Sequence, residues 1–181
     1  MPLSLVDSKP ALIVIDLQAG IVGIGVPGTA EVIARSATLA DAFRAAGHPV
    51  VLVRVTHGVP GRSDRNPAGG GRVLPEAALP IVPELGEGDV VIQKQSHGAF
   101  HGTPLESWLA ERGVTQVFLT GVATGTGVEA TGREALARGL NVVTVIDAMA
   151  DSDPEIHDFV VSKVFPKWSE TATTDEVLAA L

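Results

Sequence analysis

The sequence predicts an α/β fold, namely a three-layer α/β/α sandwich around a doubly wound, mainly parallel sheet. Two observations lead to this prediction. Short runs rich in valine, isoleucine and leucine alternate with segments of helical spacing, and these runs are apolar at nearly every position. Continuous apolar strands are typical of parallel sheets covered on both faces, and right-handed crossovers place the intervening helices on those faces.

The predicted elements follow one another along the whole chain. Five apolar runs are predicted as strands, at Ala11–Asp16, Pro49–Thr56, Val90–Gln93, Val114–Thr120 and Asn141–Asp147. Helices are predicted over Thr29–Ala46, from Thr103 to about Arg112, over Val128–Arg138, from Asp153 to about Phe165 and from Thr173 onwards. Capping residues and terminal glycines set these bounds. Since the sequence shows neither an internal repeat nor a linker, residues 1–181 are expected to form a single domain.

The composition argues against several classes of function. The formal net charge is −8 and Lys and Arg do not cluster, so we expect no nucleic-acid partner. No apolar run approaches the ~20 residues that span a bilayer, and the first ten residues lack the features of a signal peptide. We therefore expect a cytoplasmic protein without a membrane partner. The chain has no cysteine, which excludes disulfides, thiolate metal sites and thiol catalysis.

Four polar features follow predicted strands: Asp16, Lys94, the turn Gly121–Gly127 and Asp147. Ligands of open parallel sheets bind beyond the carboxyl ends of the strands, so these features are expected to share one site. Asp16 follows five apolar residues, and burial would raise its carboxyl pKa while a nearby lysine would lower it. Asp16 and Lys94 could thus form a tuned proton donor or acceptor. Alternatively, Asp16 caps a loop and Lys94 is solvated.

The glycine- and threonine-rich turn at residues 121–127 leads from a predicted strand into a predicted helix. Backbone N–H groups at such a turn can bind an anion or a developing oxyanion. The segment matches neither of the usual phosphate-binding patterns, GxxxxGK[ST] and GxGxxG with a downstream acid. An ordinary tight turn is the alternative.

No metal site, cofactor or serine nucleophile is predicted. The five histidines are scattered, and His97 and His101 lie in a segment that its glycines mark as a loop. His97 is expected to be a loop residue or a substrate contact. No G-x-S-x-G sequence is present for a serine hydrolase.

Three segments together resemble one family: IVIDLQ at residues 13–18, QKQSHGAFHGTPLESWL at residues 93–109 and LTGVATGTGVEATGREA at residues 119–135. The chain resembles the isochorismatase-like hydrolases of the cysteine hydrolase superfamily, which include nicotinamidases, carbamoyl amidases and isochorismatase. The resemblance implies the same α/β sandwich. It also implies that Asp16 and Lys94 are catalytic, that the bond between Val122 and Ala123 is a cis peptide shaping an oxyanion hole, and that Gly127 stands where the amidases carry a cysteine.

Gly127 decides which chemistry the resemblance implies. Without a thiol the thioester route of the amidases is closed, whereas true isochorismatases resemble this chain in having glycine there. They cleave a vinyl ether without a covalent intermediate, with the aspartate as general acid. Two other hypotheses remain open. The protein could have lost catalysis and bind a small ligand or act in an assembly, or it could hydrolyse a C–N bond with an activated water.

Several further residues are candidates for contact with a small anionic substrate. The loop at residues 57–77 offers three arginines, of which Arg62 is the first choice, although each could equally be a solvated loop residue. Gln18, His97 and Thr124 are the other candidates. Phe100 and Trp108 are expected in the core. The segment at residues 165–168 is expected at an oligomer contact, because the family commonly assembles through its C-terminal segments into homo-oligomers such as dimers or tetramers.

Overall fold

A computed structural model of the chain describes residues 3–64 and 66–181. Its single six-stranded sheet has the strand order β3-β2-β1-β4-β5-β6, and every pair of neighbouring strands is parallel. The strands are β1 (Pro10–Ile15), β2 (Val50–Val55), β3 (Val90–Lys94), β4 (Gln116–Val122), β5 (Asn141–Ala150) and β6 (Glu170–Ala172). The α-helices are α1 (Ala19–Val22), α2 (Thr29–Ala45), α3 (Leu105–Glu111), α4 (Glu129–Ala137), α5 (Pro154–Phe159) and α6 (Thr174–Ala180). The predicted fold class is confirmed.

Alternating side chains of the central strands fill two separate cores, one on each face of the sheet. Ile13 and Ile15 of β1 face the core that α3 and α4 cover, and Leu12 and Val14 face the core that α2 and α6 cover. Both sets are at most 1% exposed, which explains why the strands are apolar throughout. The burial therefore accounts for the sequence pattern that predicted the fold.

The structure corrects several predicted boundaries. β5 continues to Ala150 instead of ending at Asp147, because its pairing with β4 is irregular: Leu119 faces Thr144 while Gly121 faces Met149. Five positions of β5 thus span two positions of β4, and such bulges leave no clear signal in the alternation of side chains.

Three further differences concern β6, the segment after α5 and the start of α3. The strand β6 was not predicted, since three residues at a sheet edge are too short for a periodic signal. The helix predicted from Asp153 continues past α5 as a wider turn over Val160–Val164 and a 3-10 turn over Phe165–Lys167. The helix α3 begins at Leu105, whose N–H donates to the hydroxyl of Thr103.

No helix in the described part of the chain is both long and apolar enough to cross a membrane. The loop at residues 57–77 is partly ordered by bridges between His57 and Val73 and between Ser63 and Asn66. Of the three arginines of this loop, Arg65 lies outside the described residues.

Candidate active site

The carboxylate of Asp16 stands at the end of β1, where the extended backbone stops. If the strand continued, Asp16 would point to the face opposite Ile15. Instead Asp16 has a φ of 54°, and among the described residues it is the only non-glycine with a positive φ. This left-handed conformation is tolerated by aspartate more easily than by most residues, and it is uncommon outside functional sites and turns. Asp16 thereby reaches Lys94, which ends β3.

Asp16 and Lys94 form a buried ion pair. The ammonium Nζ of Lys94 lies 2.8 Å from Oδ2 of Asp16, with only 1% of the lysine side chain and 10% of the aspartate side chain exposed. Nζ also donates a hydrogen bond to the carbonyl oxygen of His97. Oδ1 of Asp16 is buried and has no hydrogen-bond partner in the described part of the chain. One carboxyl oxygen is thus held by lysine and the other is left for a further contact.

The pKa of Asp16 is perturbed in the direction that burial dictates. Burial raises the pKa of this carboxyl to about 6, and the charge and hydrogen bond of Lys94 oppose the rise, followed by the backbone N–H of Val55. Desolvation is the largest of these effects. A carboxyl with a pKa near 6 can exchange a proton close to neutral pH, as general acids and bases must.

Gly127 lies next to the ion pair. A Cβ atom at this position would lie 3.2 Å from Nζ of Lys94, 3.3 Å from Oδ2 of Asp16 and 3.1 Å from Cγ2 of Ile15. At these distances the atoms are in tight contact but do not overlap. Any side chain at residue 127 would therefore touch both charged groups, and glycine leaves that volume free.

The backbone between β4 and α4, which includes Gly127, also borders the site. The bond between Val122 and Ala123 is cis, the isomer that the family resemblance implies. The turn Thr124–Val128 that follows is wider than an α-helix. Three of its N–H groups bind inside the protein: that of Gly125 donates to Asp151, and those of Thr126 and Val128 donate to the carbonyl of Ala123.

Side chains of α4 connect this turn to the loop that follows β3. The hydroxyl of Thr131 donates to the carbonyl of Gly127 (2.7 Å) and accepts from the N–H of Ala99 (3.2 Å). The carboxylate of Glu134 accepts from the N–H of Phe100 at 2.8 Å. These bonds hold residues 97–100 against the turn, and His97 in this loop in turn binds Lys94. The site is therefore positioned by α4 together with the loop that follows β3.

Residues 10–176 match the model of the isochorismatase domain. The chain belongs to the isochorismatase family. It is 38% identical to the uncharacterised isochorismatase family protein YecD of Escherichia coli O157:H7, covering 94% of this chain and 95% of YecD. It is 32% identical to the ureidoacrylate amidohydrolase RutB of Methylobacterium radiotolerans, covering 85% of this chain and 72% of RutB.

A solved structure of another family member has the same fold. The isochorismatase family protein from Burkholderia thailandensis superposes with a TM-score of 0.87 at 37% identity, over 98% of this chain and 97% of that protein. Its fold confirms the family membership that the three sequence segments suggested.

Within this isochorismatase-family site, the structure brings together Asp16, Lys94 and Gly127. The other predicted substrate contacts are Gln18, Thr124, His97 and Arg62, and each has a different environment. The amide of Gln18 is completely buried and binds backbone groups of Val55 and Ala78, so it joins β2 to the 3-10 turn Glu76–Ala78.

The remaining predicted contacts lie in different environments. Thr124 is fully buried, with its hydroxyl 2.8 Å from Nδ1 of His157. The side chains of His97 and Arg62 are exposed. The roles of all four residues in binding substrate stay predictions. Phe100 is buried, and Trp108 is half-buried against the guanidinium of Arg112.

Asp147 was predicted to end β5 beside the other site residues, and this prediction was wrong. Because β5 is longer than predicted, Asp151 follows the end of the strand and binds the turn, through Gly125. Asp147 instead accepts two hydrogen bonds from Thr174 at the start of α6 and lies 3.7 Å from Arg35. The sequence analysis missed Asp151 and His157, and a correct end for β5 would have directed attention to both.

The C-terminal aromatic residues pack internally. Phe165 is completely buried and meets Trp168 edge to face, with ring centroids 5.4 Å apart. The predicted oligomer contact at residues 165–168 stays a prediction. In the described residues, no cluster of three or more His, Asp or Glu side chains is arranged to hold a metal ion.

Proposed function

We propose that this chain is a cofactor-independent hydrolase that cleaves the vinyl ether of a small anionic substrate, with Asp16 as general acid. The observation that supports this most directly is the asymmetry of the Asp16 carboxyl. Lys94 binds Oδ2, while buried Oδ1 has no hydrogen-bond partner among the described residues and can carry the proton that is transferred. The raised pKa of about 6 keeps part of this carboxyl protonated near neutral pH.

The proposed reaction begins with proton transfer. Oδ1 of Asp16 gives its proton to the terminal carbon of the C=C bond, which becomes a methyl group, and the adjacent carbon becomes an oxocarbenium ion. Water adds to that ion and returns a proton to Asp16. The hemiketal then breaks its C–O bond, releasing an alcohol and a ketone. For an enol ether of pyruvate the ketone is pyruvate, so the net reaction consumes one water.

Lys94 and Gly127 have separate roles in this proposal. An ammonium has three N–H donors, and Asp16 and His97 accept two of those of Lys94. We assign the third to a substrate carboxylate. Gly127 leaves room beside Oδ2 of Asp16, where a Cβ would stand at 3.3 Å, and we assign this room to the substrate.

The turn after the cis bond is proposed to stabilise negative charge on the substrate. The amides of Gly125, Thr126 and Val128 donate to protein groups, and we assign this contact to the amides of Thr124 and Gly127. The sequence suggested the N–H groups of residues 122–127 in general, and the proposal now assigns the contact to two of them. Arg62 remains a proposed additional contact for an anionic group.

Hydrolysis of a C–N bond is the second candidate, favoured by the similarity to the amidohydrolase RutB. In this case water would replace the missing thiol, and Asp16 would act as general base toward it. The two candidates require opposite protonation states of the same carboxyl. They also require different substrates.

The experiment compares turnover of two substrate panels by the purified protein. Isochorismate and simpler enolpyruvyl ethers are assayed by the pyruvate released, and amides and ureides by the ammonia or amine released. Vinyl-ether turnover should fall roughly 10²- to 10⁴-fold in Asp16→Asn, the range for loss of a general acid. Asp89→Asn is a matched control. Asp89 is exposed just before β3, at the amino-terminal end of the strand that Lys94 ends, and it accepts a hydrogen bond from the N–H of Val50.

Each result has a distinct meaning. Turnover of ureides alone would favour the second candidate. Full activity in Asp16→Asn would contradict both enzymatic proposals. Absence of turnover in both panels would favour a non-catalytic protein that binds a ligand or acts in an assembly.

A further inference from the structure

Two residues that follow β5 form hydrogen bonds with the turn of the candidate active site. Nδ1 of His157, in α5, lies 2.8 Å from the hydroxyl oxygen of Thr124, which is fully buried. The carboxylate of Asp151 accepts a hydrogen bond from the N–H of Gly125 at 2.8 Å. The turn is thus fixed at two successive residues directly after the cis bond.

The contact of His157 is made inside the protein and is specific to one ring nitrogen. The ring is half-buried, and it also lines a cavity of about 360 Å³ beside the ends of β5 and the start of α2. Asp151, Met149 and Pro27 are among the other residues that line this cavity. His157 therefore lies between the cavity and Thr124. Thr124 has no exposed surface, so His157 connects the cavity to Thr124, as Asp151 connects it to Gly125.

We propose that His157 is a positioning residue, which sets the orientation of the Thr124 hydroxyl and of the Thr124 and Gly127 amides through its Nδ1. This inference rests on the proposed function, in which those amides meet developing negative charge. His157 itself touches neither Asp16 nor the space beside Gly127 in this arrangement. Replacing His157 should thus lower kcat, which includes the chemical step, more than it changes KM.

A pair of variants separates the two ring nitrogens. In His157→Asn the amide group can stand near the place of Nδ1, whereas in His157→Gln it can stand near the place of Nε2. We expect His157→Gln to lower kcat about tenfold with KM changed less than twofold, and His157→Asn to retain most of kcat. His101→Asn serves as the control, because His101 is an exposed histidine on another loop.

A third variant uses the cavity. His157→Ala should join the vacated ring volume to the adjoining cavity, so added imidazole should restore kcat at millimolar concentration. The double variant Thr124→Val/His157→Ala should not be rescued, since it lacks the hydroxyl that imidazole would bind. In the double variant Thr124→Val/His157→Gln the loss should equal that of either single change, because the two side chains act as one unit.

Hydrogen exchange provides a readout that needs no activity. The amides of residues 125–128 should exchange faster in His157→Gln and His157→Ala than in the unaltered protein, and imidazole should slow them again in His157→Ala. A protein that turns over neither substrate panel but shows this pattern would reject the proposed function and keep the positioning role. Unchanged exchange, equal kcat in the Asn and Gln variants or a drop confined to thermal stability would overturn the inference.

Discussion

Lys94 binds Oδ2 of Asp16 at 2.8 Å and leaves Oδ1 without a partner in the described part of the chain. The two oxygens of one carboxyl thus have different environments. An oxygen that is bound by an ammonium is the worse site for a proton, so protonation is expected on Oδ1. This asymmetry determines how activity should respond to pH and to loss of the lysine.

The first prediction concerns the pH dependence of kcat/KM. If Asp16 is a general acid, its protonated form is active, and kcat/KM should be highest below pH 6 and fall tenfold per pH unit well above it. A general base has the opposite requirement, so activity would rise through the same pH. The profile of the free enzyme between pH 4.5 and 8.5 measures this sign. A vinyl-ether activity that rises through pH 6 would contradict the acid role.

The second prediction concerns Lys94→Gln. The charge and hydrogen bond of Lys94 lower the pKa of Asp16 against the effect of burial, so removing them should raise that pKa further above 6. The decline in kcat/KM should therefore move to higher pH, even though the maximal activity is lower. Lys163→Gln, at an exposed position on the segment after α5, should leave the profile in place. A decline that stays at pH 6 in Lys94→Gln would show that another group titrates.

The ends of β1 and β3 could be predicted from the sequence, because their apolar runs are followed by the charged residues Asp16 and Lys94. This sufficed to place Asp16 and Lys94 at one edge of the sheet. The φ of 54° at Asp16, which brings its carboxyl to the lysine, has no counterpart in the alternation of apolar and polar residues. The volume left by Gly127 could be inferred only through the family resemblance.

The parts of the site that follow β5 could not be predicted for a different reason. The irregular pairing of β5 with β4 moves the strand end from Asp147 to Ala150, and the periodicity of side chains does not reveal such a shift. His157 and Thr124 are far apart in sequence, and their contact depends on the packing of α5 against the turn. Contacts of this kind leave no local signal for sequence analysis to detect.

The third prediction is that Gly127→Cys creates a nucleophile. Its Cβ would stand 3.3 Å from Oδ2 of Asp16 and 3.2 Å from Nζ of Lys94, so the carboxylate can take the thiol proton and the ammonium can stabilise the thiolate. An activated ester should therefore acylate residue 127 faster than an ordinary exposed thiol. Mass spectrometry locates the product, since the chain has no other cysteine.

The control for this variant is Ser162→Cys, which places a thiol at an exposed position. Acylation of Gly127→Cys should also slow when Asp16→Asn is added. Equal rates for the two cysteines would show that the groups beside residue 127 do not activate a nucleophile. The vinyl-ether activity of Gly127→Cys should fall, because the new side chain occupies volume that we assign to the substrate.

The fourth prediction compares two glycines that both have a positive φ. Gly121, near the end of β4, has a φ of 110°, and a Cβ there would lie 2.1 Å from the carbonyl oxygen of Ile15. Gly139, after α4, has a φ of 79° and no atom within 4 Å of a built Cβ. Gly139→Ala should thus lower the free energy of unfolding by ~1–2 kcal/mol, the cost of the left-handed backbone alone. Gly121→Ala should lower it by several kcal/mol, because β4 must also move away from β1.

Urea denaturation followed by circular dichroism measures both losses. Since Ile15 precedes Asp16, the displacement of β1 in Gly121→Ala should also separate Asp16 from Lys94, so activity should be lost even in the fraction that remains folded. Gly139 lies at the opposite end of α4 from the turn, and Gly139→Ala should keep full activity per folded molecule. If the two variants lost equal stability, the close approach of β4 to the carbonyl of Ile15 would not be what requires glycine at residue 121.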